Sequence, residues 1–310
     1  MEIASEGRSG YPTTKIFLGI LFSLVFCSIY FLRTGREYDQ LLVTIPDGCS
    51  DSSPPPCYLS YVIFNQRAVD INGAIRHSEA IPYIYPGCQM LLYYDNSTAS
   101  EEFIQKMITR QVKLIAFNAS NLVSSGWNIS KLAARVIRYW AIDLPDWEVL
   151  HFRDLDSGIW LREKVAVEEF LQSDALFHSF RDHPAHWWPL MGGMWGLKRA
   201  GLAHLRINFT ESLRVYLNEK NNHGGTDQVF LADCIWPIIR NETMAHDSYY
   251  CNTTTRPHLK SKYHFGFPTQ RYGKVIAANY LALDGTAVPV DKDVVEIPKE
   301  CRRRPEWSLG

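Results

Sequence analysis

The sequence predicts an α/β fold built on one mostly parallel sheet, and three observations predict it. Short apolar runs bounded by polar, Gly or Pro residues recur through the first half of the chain, as buried strands do. Longer segments with helical potential lie between them, and strands alternating with helices require crossovers. A polar, aspartate-rich turn closes one of the runs, where ligands of such sheets bind. With 46% apolar residues in 310, the chain has ample material for a packed core.

The elements follow in order. Tyr58 to Phe64 reads as a buried strand, Gln89 to Asp95 as a second, Val112 to Phe117 as a third, and Trp147 to Leu150 as the end of a fourth. Helices are expected within 67–80, from Ser100 to Gln111 and from Ile129 to Ala141. A further helix is expected over Leu161 to Leu171, where apolar positions 161, 165, 167, 170 and 171 fall near helical spacing.

The N-terminal part sets the compartment. Ile16 to Leu32 is an uncharged run of 17 residues, at the short end of what spans a bilayer. It ends Ile29-Tyr30-Phe31-Leu32-Arg33 without a small-residue cleavage site, so an uncleaved signal anchor is expected. Glycosylation patterns occur at Asn96, Asn118, Asn128, Asn208, Asn241 and Asn252, all after that run. Six cysteines also follow it (Cys49, Cys57, Cys88, Cys234, Cys251 and Cys301), a number that suits an oxidising compartment while leaving their pairing open. The expected division is a cytosolic tail (1–15), a transmembrane anchor (16–32), a Pro-rich luminal stem (33–56) and one catalytic domain (57–310) in the Golgi or endoplasmic reticulum lumen. A net charge of -1 without a basic run points away from nucleic acid.

The chemistry is expected at His151-Phe152-Arg153-Asp154-Leu155-Asp156-Ser157. Two aspartates one residue apart, between a strand and a helix, can aim oxygens at one hard divalent cation, Mn²⁺ or Mg²⁺. The same residues also read as a turn aspartate followed by an Asp-Ser helix cap. Downstream, Arg181-Asp182-His183-Pro184 is a polar cluster beside a proline, and Gly192-Gly193-Met194-Trp195-Gly196 suits either close ligand approach or a bulge. Thr226 begins a helix carrying Asp227 and Gln228, with Asp227 also placed to favour the helix dipole. His246 and His264 are the candidate nitrogen ligands.

This order resembles membrane-anchored glycosyltransferases of the GT-A fold. More narrowly, RDLDSGIWLREKVAVEEFL, FRDHPAHWWPLMGGMWG and GGTDQVFLADCIWPI look like an uncharacterised glycosyltransferase-like family with R-D-x-D-S, R-D-H-P, G-G-M-W-G and D-Q-x-F-L motifs. The resemblance is strong over about 147–268 and weak over 57–146. It implies a nucleotide-diphosphate sugar held through a metal on Asp154 and Asp156, completed by His246 or alternatively His264. It also implies sugar contacts from the segment of Gly192, Gly193 and Trp195 and from Asp227-Gln228. The acceptor it implies is a glycan, protein or lipid.

The physical chemistry points the same way. A diphosphate leaving group gains negative charge as the glycosidic bond breaks, and a divalent cation stabilises that charge. Arg153, Arg162 and Arg181 are candidate diphosphate clamps, because guanidinium binds phosphate bidentately. Asp227 and Asp182 are candidate bases for an inverting reaction, whereas a retaining one needs none. Two other classes compete: a luminal phosphohydrolase using Asp182, His183 and His186, and a non-catalytic carbohydrate binder.

Overall fold

The computed structural model describes residues 57–64, 67–124, 126–127, 133–205, 208–219, 226–269 and 296–307. The expected tail, anchor and stem, and also Cys49 and Asn128, lie outside the described residues. Among the described residues no helix is long and apolar enough to cross a membrane.

One eight-stranded sheet organises the chain, in the order β3-β2-β1-β4-β6-β5-β7-β8. The strands are β1 (Cys57–Ile63), β2 (Cys88–Asp95), β3 (Lys113–Phe117), β4 (Val149–Arg153), β5 (Phe177–Arg181), β6 (Met194–Lys198), β7 (Thr243–Asp247) and β8 (Tyr263–Phe265). β6 runs against both its neighbours, β4 and β5, and all other pairings are parallel. β1 sits between β2 and β4 and is buried at every position, which is why it reads as an unbroken apolar run. β4 alternates instead: Phe152 faces an aromatic layer of Tyr139 and Trp195, while His151 and Arg153 turn towards Tyr85 and Glu163.

The helices follow local chemistry. α1 (Ala68–Ile84) follows β1 and carries Asp70 in its first turn, at the positive end of the helix dipole. α2 (Glu101–Ile108) is capped by Ser100, whose Oγ accepts from the Phe103 amide at 3.2 Å, and it buries Phe103 and Met107 one turn apart. α3 (Leu161–Gln172) buries Ala166, Val167 and Phe170. The helix expected over Ile129 to Ala141 is instead a 3-10 segment, Ala133–Asp143. A contact distant in sequence holds it there: the Arg138 carbonyl accepts from the Ser60 hydroxyl of β1 at 2.6 Å, tying the segment to the sheet.

Two disulfides join described residues. Cys57–Cys88 links the paired first residues of β1 and β2, and Cys251–Cys301 ties the C-terminal segment to the loop after β7. Cys234 is buried and takes part in neither of these two bonds.

Candidate functional site

The sheet order places a crevice before any side chain is considered. From β1 the chain moves outward through β2 to β3, then returns to the other side of β1 to form β4. Crossovers that diverge in this way leave an opening beyond the carboxyl ends of the two central strands. A cleft lies there: Phe64 follows β1, Arg67 and Asp70 open α1, Arg135 and Arg138 come from the 3-10 segment, and Asp154 and Asp156 follow β4.

The Asp154–Ser157 turn is not a helix cap. The residue preceding α3 is Trp160, with no side-chain capping bond, and the Ser157 hydroxyl is buried without a hydrogen-bond partner. Asp154 instead pairs with Arg138, whose side chain is only 2% exposed. Asp156 lies 3.5 Å from Arg67, which is itself bonded twice to Asp70 at 2.8 Å. Burial opposes ionisation of Asp154, but Arg138, with Arg135 and Arg153 around it, holds its carboxyl below the usual range. Burial, then the charge of Asp154, pushes Asp156 up to about 6. Two crowded carboxylates, one ionised and one reluctant, form the electrostatic setting a divalent cation relieves, and their oxygens are the donors Mn²⁺ and Mg²⁺ accept. The residues therefore fit the metal.

The glycine pair explains itself at the same place. A β-carbon on Gly193 would run into the Asp154 carboxylate and lie 2.8 Å from its amide nitrogen. One on Gly192 would sit 2.8 Å from Asp227 Oδ2 and 3.0 Å from Arg138 Nη2. Only glycine lets the chain entering β6 lie this close to both acids. Arg138 completes the junction by donating to Asp227 Oδ2 at 3.1 Å. Gln228 turns towards main chain: its Oε1 accepts from the Gly192 amide at 3.1 Å and its Nε2 donates to the Leu190 carbonyl. It holds the glycine loop.

Other expected site residues are placed elsewhere. Trp195 is fully buried, with its ring 4.6 Å from Phe152, and is a core residue rather than a sugar contact. Arg153 is 1% exposed and spends its Nη2 on the Gly158 carbonyl and Glu163, at 2.8 and 3.1 Å. Arg181 is fully buried and is bound to Asp247 at 2.6 Å and to the Pro189 carbonyl at 2.5 Å. Arg162 bonds Asp182 at 2.8 Å and Ser248 at 3.2 Å, so Asp182 sits in a separate cluster beyond β5. None of these three arginines reaches the aspartate turn as a clamp. His246 has both ring nitrogens engaged, with His178 at 2.7 Å and Glu169 at 3.1 Å. His264 bonds Asp247 at 3.2 Å and Arg181 at 3.3 Å. Neither histidine is brought to the aspartate pair. His183 and His186 face each other with ring centroids 5.4 Å apart, but His183 Nδ1 is turned to the Ala185 amide.

Sequence reasoning passed over four residues of the cleft: Arg67, Asp70, Arg135 and Arg138. A signal existed in Arg135-Val136-Ile137-Arg138, because two arginines three apart eclipse on a 3-10 helix and point the same way.

No family model matches the chain, and no curated protein matches it. Solved structures similar to it include the galactosyltransferase LgtC with donor and acceptor sugar analogues, at 11% identity and a TM-score of 0.40, covering 62% of this chain and 73% of that one. Another is the mannosyltransferase PcManGT from Pyrobaculum calidifontis in complex with GDP-Man and Mn²⁺, at 12% identity and a TM-score of 0.38, covering 77% and 68%. A third is the mannosyltransferase Ktr4p from S. cerevisiae, at 10% identity and a TM-score of 0.38, covering 78% and 80%. At these values nothing about the site is transferred from them.

Proposed function

We propose that this chain is a divalent-metal-dependent glycosyltransferase that takes its sugar from a nucleotide-diphosphate donor and acts in the secretory lumen, held to the membrane by residues 16–32. The observation that carries the reading is the cleft at the β1/β4 switch point, where Asp154 and Asp156 face Arg67, Arg135 and Arg138. Acids and arginines lining one cleft suit a ligand that is itself an anion carrying a cation, and a metal diphosphate is such a ligand.

Asp154 and Asp156 would hold Mn²⁺ or Mg²⁺, which supplies Lewis-acid stabilisation of the leaving diphosphate. Arg67 and Arg135, the more exposed arginines of the cleft, orient the phosphates. Buried Arg138 fixes the spacing of Asp154 and Asp227. Asp227, at the start of its helix and beside Gly192, is placed to accept a proton from an acceptor hydroxyl or to hold a sugar hydroxyl. Asp182 is less suited to the base role, being committed to Arg162 and Ser248.

The compartment has its own support. Asn96, Asn208, Asn241 and Asn252 are exposed and Asn118 half-exposed, so an oligosaccharide transferase could reach each of them. Two disulfides among described residues suit an oxidising lumen.

The deciding experiment is thermal unfolding with a panel of nucleotide-diphosphate sugars, with and without Mn²⁺. Binding to the native state raises apparent stability by mass action, so the true donor should raise the melting temperature only with metal present. Absence of any metal-dependent shift across the panel would remove the reading.

A further inference from the structure

The loop joining β5 to β6 carries two successive tryptophans whose rings stack, with centroids 4.7 Å apart and planes 23° apart. Trp187 nevertheless remains 47% exposed. An indole ring left in water forfeits a large apolar burial, which a ligand stacked on it would recover.

The loop around it is held at both ends. Tyr250 donates its hydroxyl to the Pro184 carbonyl, and Tyr250 adjoins Cys251 of the Cys251–Cys301 disulfide. The Ala185 amide donates to His183 Nδ1 at 3.0 Å, and His186 is 4% exposed beneath. At the far end the Pro189 carbonyl accepts from Ser179 Oγ at 3.0 Å and from buried Arg181 at 2.5 Å. Trp187 is thus offered to solvent on a pinned support. It also precedes Gly192, which abuts Asp227 and Arg138, by five residues, so at most about 18 Å of chain separates platform from cleft edge.

We infer that the Trp187 ring, backed by Trp188, is a carbohydrate-binding platform, and that the acceptor of the proposed reaction is a glycan whose pyranose ring lies on the indole face. The inference rests on the glycosyltransferase reading for the role of the bound glycan, not for its binding. A membrane or a protein surface is ordinarily met by a contiguous apolar patch. Here a single flat face stands on a hydrogen-bonded loop whose preceding residues, Asp182 and His183, are polar. A pinned aromatic face loses little conformational entropy when a ligand stacks on it, which suits a ring with apolar faces and a polar rim.

The test uses the full chain in detergent micelles, applied without donor or metal to an immobilised panel of neutral and acidic oligosaccharides. Wild type is compared with Trp187→Ala and Trp187→Tyr, and the melting temperature of each is read in parallel. The expected result is retention on at least one glycan class, weakened about tenfold or more in the alanine variant and largely kept in the tyrosine variant. Should the alanine variant unfold, the tyrosine variant is compared with Trp187→Gln instead. Equal binding by wild type and alanine variant, equal loss in both variants, or no retention on any glycan would overturn the inference. So would Trp187-dependent binding to phosphatidylcholine vesicles in place of glycans. Glycan binding that needs Trp187, without any Mn²⁺-dependent nucleotide-sugar shift, would remove the transferase reading alone; the reverse pattern would remove only this inference.

Discussion

Arg138 donates to Asp227 at 3.1 Å while the other amino group of the same guanidinium holds Asp154. The arginine comes from a 3-10 segment, one acid from a strand end and the other from a helix start, so three separate elements meet on one buried charge. Arg138→Met leaves both carboxylates without their counter-charge, and breaking such a buried pair costs on the order of 3–5 kcal/mol. The variant is expected to melt well below wild type. Mn²⁺ should recover more of that loss than it adds to the wild type, because a cation can replace the missing guanidinium charge. An unchanged melting temperature would mean that Arg138 does not carry the junction.

Gly193→Ala probes the same place by steric means. The added methyl meets the Asp154 carboxylate and amide, where neither strand can yield much. Overpacking of this kind costs about 1–3 kcal/mol. The larger effect is expected on function: Mn²⁺-dependent nucleotide affinity, read by calorimetric titration, should fall at least tenfold. Wild-type affinity in the alanine variant would separate the glycine loop from the metal turn.

Asp156→Asn tests the aspartate turn as a metal site. Asn removes one anionic ligand and also the repulsion that Asp154 exerts on Asp156. Metal-dependent nucleotide binding should therefore disappear, while the metal-free protein melts at or slightly above the wild-type temperature. Retained Mn²⁺-dependent nucleotide binding would leave the turn without a metal role.

Much of this architecture was legible because periodicity reports burial directly. β1 and β2 are apolar runs since both lie inside the sheet, and the α2 cap is written in Ser100 followed by Glu101 and Glu102. The aspartate turn was visible as two acids one residue apart after an apolar run, a pattern that suits a divalent cation and a helix cap alike. What could not be read is what depends on distant partners. Ser60 ties the Arg138 segment to the sheet across 78 residues of chain. Arg153 and Arg181 read as phosphate clamps, but Glu163 and Asp247 already hold them in the interior. His246 likewise reads as a free ligand until β5 brings His178 against it. Charge type is local information; whether a charge is already spent is not.

The compartment is checked by glycan removal. Five described sequons are exposed or half-exposed, so the protein expressed in a eukaryotic secretory host should migrate faster on a gel after endoglycosidase treatment. Unchanged mobility would contradict the luminal assignment while leaving the cleft chemistry untouched.

The response to acid follows from four buried histidines. Burial lowers His77 and His151 to about 3, and lowers His178 and His246 as well, so all four are neutral in the fold near pH 7. In the unfolded chain each titrates near 6.5, so below that value the unfolded state binds protons the native state refuses. Stability from these groups is therefore present above about pH 6.5 and is lost as pH falls, by up to about 1.4 kcal/mol per pH unit for each histidine. Asp247 does not mask this: burial would raise it, but Arg181 and His264 bring it to about 2, so its contribution is lost only below the ordinary carboxylate range. Asp156, held at about 6, acts in the opposite sense, since its native form takes up a proton first. His151 isolates the effect, because it is 1% exposed, neither ring nitrogen has a hydrogen-bond partner, and it packs against the rings of Tyr85 and Phe170. His151→Phe should leave the melting temperature near pH 7.5 almost unchanged and make its fall towards about pH 5 shallower, by up to one proton's worth of slope. Parallel curves for variant and wild type would show that His151 is not held neutral in the fold.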